Sequence, residues 1–204
     1  MNIFILTTGR SGSVSFVAAC RHITNYTSAH ESRSQLIGSE HFNYPDNHIE
    51  ADNRLAWFLG AMDEKFGNDA CYVHLVRSRV ATASSFMKRY DEGIIKAYRE
   101  AVLLGASTDL DQRKICEDYW DTVNSNIVHF LKNKENKITM HLESIENDFP
   151  VFWEKVRAEG DLSAAMEEWH SPRNMSPARL SNYGSWVNKC KRVVKGFPEY
   201  LKRT

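Results

Sequence analysis

Short apolar runs alternate along this chain with longer stretches in which apolar residues recur every three or four positions. The runs at residues 3–6, 71–76 and 137–142 have the length of buried strands. Helical spacing of apolar residues predicts an amphipathic helix at 52–66 and a helical region at 91–133. The alternation of strands and helices predicts an α/β fold.

Between the first two apolar runs the pattern predicts less regular structure. Residues 25–31 are expected to form a short strand that returns to the same sheet edge, with His30 and Glu31 at its end. Residues 32–53 are polar and are predicted to be a loop. Loops of that length in compact domains are often functional, and we expect this one to help shape a binding pocket together with the region around 91–110.

Composition narrows the class of protein. A chain of 204 residues is expected to form a single domain spanning 1–204. Acidic and basic residues balance at 26 each, which argues against a nucleic-acid-binding protein and makes any anion site local. The four cysteines have no metal-ligand or disulfide spacing, so no metal site is predicted and reduced thiols are expected. They are Cys20, Cys71, Cys116 and Cys190.

Targeting signals are also lacking from the pattern. The first residues have neither a basic segment nor a long apolar core of the kind found in secretory leaders. No stretch approaches the roughly 18 apolar residues that a membrane helix needs. We therefore expect a cytoplasmic protein without a membrane span.

The turn that follows the first apolar run is predicted to bind phosphate. It lies between a strand and a helix, so backbone N–H groups at the helix N-terminus can point at an anion. Glycines let the backbone approach the ligand, serine hydroxyls add donors, and the planar guanidinium of Arg10 suits phosphate or sulfate. The residues of this loop are Gly9, Arg10, Ser11, Gly12, Ser13, Val14 and Ser15.

This loop departs from the common nucleotide-binding motifs. The Walker motif Gly-x-x-x-x-Gly-Lys-Ser/Thr requires a lysine that the loop does not contain, so ATP or GTP hydrolysis is not favoured. The dinucleotide pattern Gly-x-Gly-x-x-Gly is missing as well. A tight strand–helix connection without a ligand remains an alternative interpretation of this turn.

A second turn repeats the same arrangement about seventy residues later. The strand at 71–76 ends at Arg77-Ser78-Arg79, and a helix follows. In open α/β sheets ligands bind beyond the carboxyl ends of the strands. Two such ends that carry arginine predict one anion-rich ligand that spans both turns.

Together these motifs resemble those of the sulfotransferases that use 3′-phosphoadenosine 5′-phosphosulfate (PAPS). The loop at 9–15 is similar to the Arg-Ser-Gly-Ser/Thr form of the motif that binds the 5′-phosphosulfate in many bacterial members. Arg77 and Ser85, eight residues apart, resemble the arginine and serine that bind the 3′-phosphate. Weaker similarities lie at 142–145, which resembles a Tyr-Glu-Asp-Leu stretch, and at 184–188, which resembles a late Gly-x-Trp loop.

The sequence also departs from that family in three places. Arg10 stands where many members have lysine. The second turn reads Arg-Ser-Arg instead of Arg-Asp-Pro, and the segment at 184–188 lacks a preceding Arg-Lys-Gly. The last departure weakens the assignment of nucleotide contacts to the end of the chain.

The resemblance implies a three-layer P-loop-like fold with a mostly parallel central sheet flanked by helices. It implies transfer of a sulfuryl group from PAPS, as co-substrate and without a metal, to a hydroxyl or amine of a small-molecule or glycan acceptor. Arg10 would act electrostatically on the leaving phosphate, since its guanidinium stays protonated. Glu31, twenty-one residues after Arg10, matches the base of related members, with His30 as the alternative; Trp186 would contact the nucleotide.

Two other interpretations remain open at this point. One is a small-molecule kinase with a degenerate P-loop, and the other is a nucleotide-binding module without catalytic activity. The pattern determines neither the acceptor nor the oligomeric state.

Overall fold

The structure, a computed structural model, describes residues 1–105 and 110–170. All of these residues belong to one compact unit. The predicted single domain over 1–204 extends beyond them and stays a prediction. Trp186, Cys190 and the segment at 184–188 lie outside the described residues.

A parallel sheet organises the described part of the chain. Its five strands are ordered 2-3-1-4-5, and every adjacent pair is parallel. In chain order they are β1 (Ile3–Leu6), β2 (Thr27–His30), β3 (His48–Ala51), β4 (Cys71–Val76) and β5 (Lys137–His141). Because all five run the same way, their carboxyl ends meet at one edge of the sheet.

Helices connect these strands across both faces of the sheet. The α-helices are α1 (Ser13–Cys20), α2 (Leu59–Phe66), α3 (Arg79–Met87), α4 (Gly93–Ala97), α5 (Gln112–Leu131), α6 (Ile145–Lys155) and α7 (Leu162–His170). Shorter 3₁₀ segments lie at Gly38–Phe42, Asn53–Trp57 and Leu142–Ser144, and a π-helical turn at Tyr98–Val102 follows α4.

Alternating side chains of β1 divide the core into two layers. Ile3 and Ile5 pack with α1, α6 and α7 on one face. Phe4 and Leu6 pack with α2, α3 and α5 on the other. These residues are fully buried, as expected for a central parallel strand. The helix after β1 therefore covers one face of the sheet and the helix after β4 covers the other. In such sheets this change of face is a switch point, and ligands bind beside the carboxyl ends of the two strands, here β1 and β4.

The prediction that 32–53 is a loop was wrong in part. Residues His48–Ala51 form β3, which is buried along its length and lies between β2 and β1. Only Ile49 and Ala51 join the apolar core. His48 and Glu50 face the other side, where a polar network satisfies them, so the strand lacks the apolar run typical of buried parallel strands.

The predicted helix at 52–66 is divided in two. A 3₁₀ segment, Asn53–Trp57, is capped by Asp52, whose carboxylate accepts a hydrogen bond from the Arg54 N–H at 2.8 Å. Helix α2 then covers Leu59–Phe66. The cap holds the chain at the carboxyl end of β3 before the helix begins, and this places Asp52, Asn53 and Arg54 beside the edge where ligands are expected.

Within the core, His74 on β4 should make stability depend on pH. Its Nε2 lies 2.7 Å from Oδ1 of Asn124, both side chains are buried, and burial lowers the pKa of His74. The unfolded chain therefore binds a proton that the folded chain does not, and the free energy of unfolding falls as pH drops below about 6.5, by at most about 1.4 kcal/mol per pH unit. Urea denaturation between pH 5 and 8 measures this slope, which should be smaller in the His74→Gln variant; an equal slope would contradict the assignment.

Candidate active site

The loop between β1 and α1 adopts a left-handed backbone at three positions. Gly9, Arg10 and Gly12 have φ values of 80°, 60° and 91°. At Gly12 a Cβ atom would lie 2.8 Å from Cδ1 of Leu142, so the loop approaches the chain that follows β5. This path turns the chain sharply before α1, whose first residues, Ser13, Val14 and Ser15, are half-buried.

The Ser11 hydroxyl is committed within the loop. It is buried and hydrogen-bonded to the Thr7 hydroxyl, which also accepts the Gly9 N–H at 3.3 Å. The Tyr119 hydroxyl donates to the Thr8 carbonyl at 2.8 Å and ties the loop to α5. These hydrogen bonds stabilise the conformation of the loop. Ser11 therefore contributes to the loop by holding its backbone in place.

The two predicted anion-binding turns touch each other directly. Nη1 of Arg77 donates to the Arg10 carbonyl at 3.0 Å. Nε of Arg10 donates to the Ser85 hydroxyl on α3, also at 3.0 Å. Arg10, Arg77 and Ser85 thus lie together where β1 and β4 end, and the Arg10 guanidinium extends towards α3.

Neighbouring side chains hold Arg77 at the end of β4. Its carbonyl accepts hydrogen bonds from Nε1 of Trp120 at 3.0 Å and from the Thr82 hydroxyl at 3.4 Å. Arg79, two residues later, points elsewhere: its guanidinium pairs with Glu117 and Asp121 of α5 at 2.7 and 2.6 Å. The two arginines of the Arg-Ser-Arg turn therefore have different surroundings.

Positive charge is concentrated at this site. Burial lowers the pKa of Arg10, and the nearby cations Arg89 and Arg77 lower it further. The positive charges of Arg77 and Arg89 thus act on the Arg10 guanidinium, and such a concentration of charge favours an anion nearby. Arg89 follows α3, and its approach to Arg10 could not be seen in the sequence because it depends on the packing of α3.

One backbone N–H donor of the second turn is already hydrogen-bonded to a carboxylate. Oε1 of Glu143 accepts the Ser78 N–H at 2.8 Å, where α3 begins. Burial alone would raise the pKa of Glu143, but the hydrogen bonds from Ser78 and the charge of Arg77 outweigh it and the pKa is lowered. An anionic oxygen is thus stabilised beside Arg77. Glu143 belongs to the weak motif at 142–145.

His30 and Glu31 take different directions at the end of β2. The Nε2 atom of His30 lies 3.0 Å from the Ser13 hydroxyl at the start of α1. Glu31 has a φ of 52° and pairs with Arg54, with 3.0 Å between Oε2 and Nη1. The left-handed residue breaks the strict alternation expected of extended backbone, which is why both side chains stay near the site.

Arg54 lies close to the loop as well. Its neighbour Asn53 packs against Gly9, where a Cβ atom would be 3.3 Å from the Asn53 Nδ2. The loop after β1, the end of β2 and the end of β3 therefore surround one region. Predicted residues Gly9–Ser15, His30, Glu31, Arg77 and Ser85 all contribute to this edge of the sheet, whereas Trp186 falls in the part of the chain that is not described.

The described residues contain neither a cluster of metal ligands nor a helix suited to a membrane. No group of three or more His, Cys, Asp or Glu side chains among them is arranged to hold a metal ion. No helix in residues 1–105 or 110–170 combines the length and apolar character needed to cross a membrane.

Comparison with solved structures identifies the fold. The chain is similar to a sulfotransferase domain from the curacin biosynthetic pathway, with a TM-score of 0.57 and 15% identity over 84% of this chain and 78% of that one. It is also similar to mouse sulfotransferase SULT7A1 complexed with PAP, with a TM-score of 0.55 and 15% identity over 95% of this chain and 81% of that one. The chain therefore has the P-loop-like fold of sulfotransferases, as predicted. No protein-family profile and no curated protein sequence matches it.

Proposed function

We propose that this protein is a PAPS-dependent sulfotransferase that acts on a hydroxyl or amine of a small-molecule or carbohydrate acceptor. The observation that carries the proposal is the direct contact between Arg10, Arg77 and Ser85 where two adjacent strands end. PAPS carries negative charge at its 5′-phosphosulfate and at its 3′-phosphate. A cluster of cationic side chains contributed by two turns suits such a ligand. The fold shared with a PAP-bound sulfotransferase supports it.

In this proposal each turn holds one end of the nucleotide. The loop at 9–15 and the N-terminus of α1 face the 5′-phosphosulfate, while Arg77 and Ser85 hold the 3′-phosphate. Sulfuryl transfer forms a bond from the acceptor oxygen or nitrogen to sulfur and breaks the bond from sulfur to the bridging oxygen of the 5′-phosphate. Negative charge grows on that phosphate, and backbone N–H groups with the fixed charge of Arg10 stabilise it.

The acceptor must lose a proton during the transfer. Glu31 is the proposed base: its side chain is about one-third exposed, and its ion pair with Arg54 directs its carboxylate near the loop. His30, which contacts Ser13 at the start of α1, is placed to interact with the 5′-phosphosulfate and is the alternative base. We infer that the two residues divide these tasks, with Glu31 on the acceptor side.

Calorimetry combined with a transfer assay tests this function. Titration with PAP should show binding in the micromolar range or tighter, and ATP with Mg²⁺ should bind far more weakly, since the loop lacks the Walker lysine. A screen of acceptors with ³⁵S-labelled PAPS should yield a labelled product. Preference for ATP with Mg²⁺ would favour the kinase interpretation, and PAP binding without transfer to any acceptor would favour the non-catalytic module.

Replacing Gly12 by alanine should disturb the loop selectively. The left-handed backbone and the 2.8 Å approach of Leu142 both oppose a Cβ atom there, at a cost of about 1–2 kcal/mol in stability. We expect weaker PAP binding by calorimetry. Gly38→Ala is the matched control because Gly38 also has a positive φ, 61°, but open space around its Cα. Equal PAP affinities in the two variants would contradict the proposed role of the loop.

A further inference from the structure

Strand β3 contributes a fully buried carboxylate, Glu50, that the proposed chemistry does not use. Its side chain has no exposed surface. Oε1 accepts the Ser32 N–H at 2.8 Å, and Oε2 accepts the Ser32 hydroxyl at 2.6 Å and lies 3.0 Å from Nε2 of His48. Burial alone would raise the pKa of Glu50, but the hydrogen bonds from His48 and Ser32 outweigh it and lower the pKa. The group is therefore held as a carboxylate.

These bonds fix the backbone on both sides of Glu31. The N–H of Glu31 donates to the Ala51 carbonyl of β3 at 3.1 Å, and the next N–H, that of Ser32, donates to Glu50. The Glu31 carbonyl accepts the Ser34 hydroxyl at 2.8 Å. A left-handed residue other than glycine persists only where its surroundings enforce it, and here the enforcement comes largely from β3.

The side chain of Glu31 is directed from the same strand. Its partner Arg54 is itself held by Asp52, which follows β3 and is fully buried. Oδ1 of Asp52 accepts the Arg54 N–H at 2.8 Å and lies 3.4 Å from Arg54 Nη1. Glu50 thus holds the backbone beside Glu31 in place. Asp52 directs the carboxylate of Glu31 by holding Arg54.

We propose that Glu50 is a positioning residue that sets the Glu31 carboxylate for proton transfer from the acceptor. This inference rests on the proposed function. A displacement of about 1 Å in a catalytic group can cost about 100-fold in rate. Glutamine at position 50 keeps the size of the side chain but is uncharged and replaces one acceptor oxygen by an NH₂ donor, so the Ser32 hydroxyl and His48 can no longer both donate to it as they do to the native carboxylate.

The test compares Glu50→Gln and Ser32→Ala with the native protein in the ³⁵S-transfer assay and by PAP calorimetry. Both variants should lower kcat, Glu50→Gln by about 10- to 100-fold, while KM for PAPS and the Kd of PAP stay within about threefold. In a Glu31→Gln background neither change should lower kcat further. Hydrogen exchange at the Ser32 amide should become faster in Glu50→Gln, and Glu64→Gln, an exposed change on α2, should leave every measurement unchanged.

The outcomes separate this inference from the proposed function. A native protein that binds PAP and transfers sulfate, with both variants equally active, overturns the positioning role alone. The role is also overturned if Glu50→Gln lowers kcat by the same factor in the Glu31→Gln background, because the effect would then bypass Glu31. If Glu50→Gln does not fold, Ser32→Ala decides by the same criteria. A native protein that transfers sulfate to no acceptor overturns both proposals, whether or not it binds PAP.

Discussion

Replacement of Arg77 by methionine is expected to weaken PAP binding by about 100-fold, which corresponds to about 2.7 kcal/mol. Arg77 is half-buried, and its backbone carbonyl accepts hydrogen bonds from Trp120 and Thr82. Its guanidinium donates to the Arg10 carbonyl, so the side chain is positioned before the ligand arrives. Removing one partner of such a charged hydrogen bond costs about 2–5 kcal/mol. Isothermal titration calorimetry of the native protein and the variant measures the change.

Arg79→Met provides the matched control for this prediction. It removes an arginine from the same turn, but one whose charge is neutralised by Glu117 and Asp121. Its PAP affinity should stay within about threefold of the native value, since exposed ion pairs contribute little. Equal losses in both variants would mean that the general positive charge of the region matters and not the placement of Arg77.

Replacement of Glu31 by glutamine is expected to lower kcat by about 100- to 10,000-fold, the range for loss of a general base. Glutamine keeps the size of the side chain but cannot take the acceptor proton. Because Glu31 pairs with Arg54 and not with the cationic cluster, the Kd of PAP should change little. Steady-state kinetics with the acceptor found in the ³⁵S screen, together with PAP calorimetry, measures both quantities.

Two further variants make the assignment of the base specific. Glu64→Gln, on the exposed face of α2, should keep the native kcat. His30→Gln should weaken PAP binding through loss of its contact with Ser13 and reduce kcat less than Glu31→Gln does. A native kcat in Glu31→Gln combined with a large loss in His30→Gln would transfer the role of base to His30.

The sequence was most informative where one short segment carries both the structural and the chemical pattern. The run Ile3–Leu6 is apolar on both faces because β1 is central, and the glycines that follow adopt the positive φ values that such a turn requires. The run Cys71–Val76 likewise carries both patterns, because Arg77 directly follows the strand. A sheet that places these two strands side by side brings their turns together, so the arrangement could be predicted from local pattern and the parallel-sheet rule.

The predictions from sequence were wrong or incomplete where polar residues are buried and where tertiary packing determines which side chains meet. Strand β3 carries His48 and Glu50 inside the protein, and a pattern method has no means of knowing that Ser32 and Thr27 satisfy them. The contact of His30 with Ser13 depends on how β2 packs against α1. The proximity of Arg89 to Arg10 depends on how α3 packs, which the spacing of residues does not show.

We propose that both turns bind one nucleotide, with Arg77 at its 3′-phosphate. A cycle of calorimetric titrations tests it most directly: PAP and adenosine 5′-monophosphate, which lacks the 3′-phosphate, are each titrated into the native protein and into Arg77→Met. We predict that the native protein prefers PAP by about 100-fold and that the variant binds the two nucleotides almost equally. An unchanged preference for PAP in Arg77→Met, or equal binding of both nucleotides by the native protein, would contradict the account.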